Sequence, residues 1–133
     1  MTDQEAHDLL SHLFRALCDP AVSAEARGEY FAPGYVQAVD GKLLDRGDFL
    51  DHVRALKSVL ASGSVTLEKV IASGSTIASN HVVNARKKTG ESVQMKVLAF
   101  FEIKNGLVQR TDELTYLIRG AAADRDLGSR TSG

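Results

Sequence analysis

The sequence predicts an α+β fold in which a curved antiparallel sheet wraps around three N-terminal helices to make a cone. Three observations predict it. Helical periodicity is confined to roughly the first 60 residues, a period of two runs from Ser64 to Arg119, and short breaks at Gly74, Thr89-Gly90 and Asn105-Gly106 suit hairpin turns.

The first helix opens at a capping-box pattern, Thr2 with Glu5, and carries Ala6, Leu9, Leu10, Leu13 and Leu17 on one stripe until Asp19-Pro20 ends it. The second is expected from Ser23 through "AEARGEYF" to Pro33-Gly34. "YVQAV" then reads as extended and closes at Asp40-Gly41. In the third helix Asp45 is the cap, Asp48 lies in the first turn where the helix dipole favours a negative charge, and Phe49, Val53, Leu56 and Leu60 share one line. His52 sits beside that line and should be at least partly inside; Ser62-Gly63 is the expected stop.

Segments 64–73, 76–88, 91–104 and 107–118 form a four-stranded meander, with strands long enough to require curling or bulges. In 91–104, Val93, Met95, Val97, Ala99, Phe101 and Ile103 mark the core face. Leu98 and Phe100 point the other way, where no helix remains to cover them, so a homodimer through the outer sheet face is expected. One domain is expected over residues 1–119, followed by a tail, 120–133, either loose or packed on the partner.

Composition narrows the function. With 133 residues, 44% hydrophobic and 25% charged, one ordinary core is expected. A net charge of −1 provides no field for a phosphate backbone, and the single basic run, Arg86 to Lys88, reads as a solvated hairpin end, so nucleic acid is not an expected partner. No window approaches a membrane span, the N-terminal stretch lacks signal-peptide character, and the lone Cys18 cannot form an internal disulfide, so a soluble cytoplasmic protein is expected. Cys18 itself reads as a small apolar side chain. Neither His-x-x-x-His nor paired cysteines occur, and no metal or cofactor is expected.

The order of elements, "YVQAVDG" and "AFFEIKNGLVQRTDEL" together resemble the nuclear transport factor 2-like superfamily, which includes SnoaL-like polyketide cyclases, ketosteroid isomerase and limonene epoxide hydrolase. The resemblance spans residues 3–118 and implies the cone, a pocket at its open end and frequent dimerisation, without implying one chemistry. SnoaL-like proteins tend to carry His where this chain has Ala38, and the Asp-Arg-Asp set of limonene epoxide hydrolase has no counterpart here beyond Arg110 and Asp112.

Strict alternation in 107–118 places Asp112 on the face of Val108, Leu114 and Tyr116, and so inside, with Glu113 outside. An ion pair of Asp112 with Arg110 or with a lysine at the sheet edge, or a register error exchanging Asp112 and Glu113, are the alternatives. His81 shares a face with Ile77 and Val83, while His7 and His12 read as solvated. The candidate catalytic residues are Asp112, His52 and His81, with Tyr35, Tyr116, Phe101 and Phe49 as candidate ligand contacts. A His and a carboxylate meeting in an apolar cavity suit acid/base work on a small hydrophobic molecule, with Tyr35 a candidate donor to an oxyanion. The alternatives are a non-catalytic binder with the same pocket, and a dimeric interaction module with a filled core.

Overall fold

The computed structural model of the chain describes residues 1–132. Helix α1 spans Asp3–Cys18, and its capping box is formed: Glu5 N–H donates to Thr2 Oγ1 at 3.0 Å and Thr2 N–H to the Glu5 carboxylate at 2.9 Å. Ala6, Leu10 and Leu13, at helical spacing, are its buried stripe. Helix α2, Ala24–Gly28, is capped by Ser23 and ends earlier than expected. Phe31 opens strand β1, Phe31–Val39, because its ring packs on Tyr35 and Phe49 at 4.6 and 4.4 Å between centroids, and Tyr30 O accepts a hydrogen bond from Val108 N–H. Pro33, with no N–H to give a ladder, lies where the β1 register shifts between Phe31 and Val36.

After the turn at Asp40-Gly41, where both φ angles are positive, a strand not foreseen in the sequence, β2 (Lys42–Asp45), pairs back on β1. Helix α3, Arg46–Val59, has a second capping box, Asp45 with Asp48. It passes directly into β3 at Leu60 and does not reach Ser62-Gly63. Strands β3 (Leu60–Ser73), β4 (Thr76–Lys87), β5 (Ser92–Lys104) and β6 (Leu107–Arg119) form the expected meander. The six-stranded order is β2-β1-β6-β5-β4-β3, antiparallel throughout except for the parallel pair β1–β6.

The inner face of β5 is buried as expected, from Val93 to Phe101, while Leu98 and Phe100 are 52% and 59% exposed on the outer face. The alternation in β6, however, is broken. Ile103 pairs with Val108, but the neighbouring Glu102 pairs with Arg110, so Gln109 is an extra residue in a β-bulge. Beyond it the faces exchange: Thr111, Glu113, Thr115 and Leu117 stand opposite the inward Phe101, Ala99, Val97 and Met95. Asp112 and Tyr116 therefore point outwards, correcting both inward assignments. Asp112 pairs with Arg110 at 2.9 Å, and Tyr116 is 70% exposed.

The stretch beyond β6 folds back onto its own cone. A 3₁₀ turn at Ala122–Asp124 buries Asp124, which pairs with Lys87 at 2.6 Å, and Leu127 joins the core. Gly128 lies so close to β6 that a Cβ there would meet Thr115 Cγ2 at 2.8 Å.

Candidate functional site

Between the concave face and the helices lies a cavity of about 520 Å³. Phe31, Tyr35 and Phe49 form one aromatic wall, with Phe101 on β5 part of the lining. His52 reaches it from α3 and His81 from β4, and the tail contributes Leu127 and Gly128. The cavity thus brings together His52, His81, Tyr35, Phe49 and Phe101 from the sequence-predicted set, but not Asp112 or Tyr116.

The carboxyl group of the site is Glu113, delivered inward by the Gln109 bulge. Gln37 Nε2 donates to Glu113 Oε1 at 2.7 Å, and Gln37 Oε1 accepts from the Tyr35 hydroxyl at 3.0 Å. Tyr35 Oη also lies 2.7 Å from Thr111 Oγ1. A phenol has one hydrogen and the amide oxygen can only accept, so Thr111 donates to Tyr35, Tyr35 to Gln37, and Gln37 to Glu113. Tyr35 is 1% exposed, and its proton is committed to Gln37. The hydroxyl expected from the sequence as a donor to an oxyanion is thus already bonded within the protein. Among the described residues, the other oxygen of Glu113 has no hydrogen-bond partner.

Electrostatics set the protonation states. Burial of Glu113, reinforced by the nearby Asp40 carboxylate and opposed by the Gln37 hydrogen bond, pushes its carboxyl up to about 8. At neutral pH the protonated form therefore predominates. Burial lowers the pKa of His52 below the usual imidazole range, and its Nδ1–H donates to Arg130 O at 2.7 Å, which leaves Nε2 as the basic nitrogen. His81 is pushed down to about 4 by burial and by Lys96, and its Nδ1 lies 2.7 Å from Ser79 Oγ. Both histidines are neutral near pH 7. Among the described residues no group of side chains has the makings of a metal site, and no helix is long and apolar enough to cross a membrane.

Gln37 was absent from the expected site and Glu113 entered it only through the register alternative, yet one signal favoured that alternative. Strict pairing across the Asn105-Gly106 turn would set Arg110 opposite Phe101 in the core, and one extra residue replaces that charge with Thr111.

Comparison with known proteins matches this architecture to a family. Residues 11–111 match the SnoaL-like domain, and the chain belongs to that family, within the nuclear transport factor 2-like superfamily. It is 35% identical over 126 residues, 95% of this chain and 97% of the relative, to the uncharacterized protein C11D3.04c of Schizosaccharomyces pombe. Its fold is similar to that of PrhC from Penicillium brasilianum (TM-score 0.75, 12% identity, covering 96% of this chain and 87% of that one). It is likewise similar to an LEH-like epoxide hydrolase from M. tuberculosis (TM-score 0.70, 14% identity, 96% and 90% covered).

Proposed function

We propose that the cavity is an acid/base site for a small hydrophobic molecule, with Glu113 as the group that moves the proton. The observation that carries this reading is a carboxyl group set in an apolar cavity, oriented by Gln37 and holding a pKa near the pH at which it would work. In its ionised form Glu113 takes a proton from an activated carbon of the ligand and returns it at another position, giving an isomer with no redox change. His52 Nε2 is the second proton acceptor lining the same cavity. The similar fold of an LEH-like epoxide hydrolase adds that this architecture serves catalysis elsewhere.

Solvent deuterium uptake into a panel of hydrophobic carbonyl compounds, followed by NMR, tests the reading. Glu113→Gln should slow exchange by about a hundredfold or more while ligand affinity stays nearly constant. Equal exchange by wild type and variant would exclude Glu113 from the chemistry. A non-catalytic binder is the second reading, favoured by the fact that Gln37, Tyr35 and Thr111 are already bonded to one another. It predicts binding with no exchange. A module with a filled core is disfavoured, because about 520 Å³ exceeds the ~300 Å³ that small-molecule sites require.

We also propose a homodimer through the outer sheet face. Leu98, Phe100, Leu114 and Tyr116 form an exposed apolar centre there. The charges beside it are internally paired, Lys96 with Glu68 and Arg110 with Asp112, so two copies would not repel. The free thiol of Cys18 agrees with a cytoplasmic location.

A further inference from the structure

The cavity has two chemically different sides. On β1 and β6 stands the neutral relay that ends at Glu113. Elsewhere the lining contains three cations, Arg27 on α2, Lys57 on α3 and Lys88 just after β4, and among the described residues Glu113 is its one carboxyl group.

Arg27 and Lys57 grip the same short loop after α1. Arg27 Nη2 donates to Asp19 O, while Lys57 Nζ donates to Pro20 O at 3.1 Å and Val22 O at 2.9 Å. Acceptors within one four-residue stretch, Asp19 to Val22, hold the two head groups near one another. Lys88 lines the same cavity from an exposed position, with its backbone N–H donating to Val59 O at the end of α3. None of the three has a carboxylate within 4 Å among the described residues. Asp19, the acid that Arg27 feels, turns its carboxylate to Ala21 N–H, and Glu25 is held by Arg54. Arg27 is only 5% exposed, and its Nε is buried with no partner. A guanidinium that stays charged, lines a cavity and has no carboxylate partner is costly to bury unless an anion completes it.

We propose that the ligand of this cavity is amphipathic, with its apolar body against the aromatic wall and a carboxylate on Arg27, with Lys57 and Lys88 beside it. The inference rests on the reading of the cavity as a small-molecule site and adds the chemical class of its ligand.

Decanoate and decanol, with the same chain and different head groups, separate the two ideas by calorimetry. Wild type should bind decanoate about tenfold or more tighter than decanol, and Arg27→Gln should equalise them, as expected for a charge-assisted hydrogen bond. Decanol binding as well as decanoate would overturn the anion site and leave the cavity reading standing, whereas binding of neither would overturn both. Should Arg27→Gln fail to fold, carboxyl-¹³C decanoate bound to wild type gives the answer. Its titration should move below that of the free acid, and an unmoved or raised midpoint refutes the proposal.

Discussion

Replacing Glu113 with Gln keeps the shape of the side chain and an acceptor for Gln37 but removes the ionisable group. The consequence should appear in stability before any substrate is known. In the unfolded chain Glu113 ionises near 4.5; in the folded protein it does so near 8. Between these values the folded state holds a proton that the unfolded state has lost, so wild-type stability falls as pH rises, by at most about 1.4 kcal/mol per pH unit. The full window would give a ceiling of about 5 kcal/mol. Glu113 keeps partial exposure along the cavity, and water reaching it lowers that figure, so about 2 kcal/mol is the expected gain of the variant over wild type on moving from pH 4 to pH 9. Urea unfolding across that range measures it. His52 and His81, neutral when folded, act in the opposite sense below pH 6.5, but they are common to both proteins and cancel in the difference. Parallel stability curves for wild type and variant would refute a desolvated carboxyl at this position.

Asp40→Asn removes a charge that raises the Glu113 pKa, while asparagine tolerates the positive φ of 52° at that turn; carboxyl-carbon NMR should show the Glu113 midpoint falling, and a rise would contradict the assigned cause. Lys87→Met leaves the buried Asp124 carboxylate with only the Ala121 N–H, at an expected cost of about 2 kcal/mol in denaturant unfolding. Because the Asp124 pKa is held below its ordinary value, the stability it contributes is present above that value and lost as pH falls, and the variant should lose this acid dependence. Gly128→Ala should lift the tail from Thr115, with faster amide exchange at Leu127 and Ser129; unchanged protection would mean the close approach is relieved without undocking. Phe100→Glu should convert a dimer to a monomer in analytical ultracentrifugation, and an unchanged species, of either size, counts against the outer-face interface.

Much of the cone was legible because local chemistry determined it. Thr2 with Glu5 and Asp45 with Asp48 announced helix starts, and Asn105-Gly106 announced a hairpin. Val93 to Phe101 gave the core face through alternation alone. The reading failed where a long-range constraint overrode the local one. Period-two counting cannot register an inserted residue, so Gln109 displaced the side chains from Arg110 to Leu117 and exchanged Asp112 for Glu113. Tyr30-Phe31 left the helical pattern because an aromatic cluster with Phe49 holds Phe31 in a strand. The tail had no periodicity because its anchors, Asp124, Leu127 and the Arg130 carbonyl, are single contacts with distant residues.

The parallel pairing of β1 with β6 has a consequence for the order in which the molecule is made. Tyr35 and Thr111, which touch in the finished site, are 76 residues apart in the chain. On a ribosome, the helices and the β3–β4 hairpin are complete well before β6 emerges, so the early chain must wait with the aromatic side of its cavity uncovered. The polar wall is therefore assembled in one late event, when β6 slots between β1 and β5. During synthesis that unfilled slot exposes two strand edges at once, and chaperone protection would matter most at that stage.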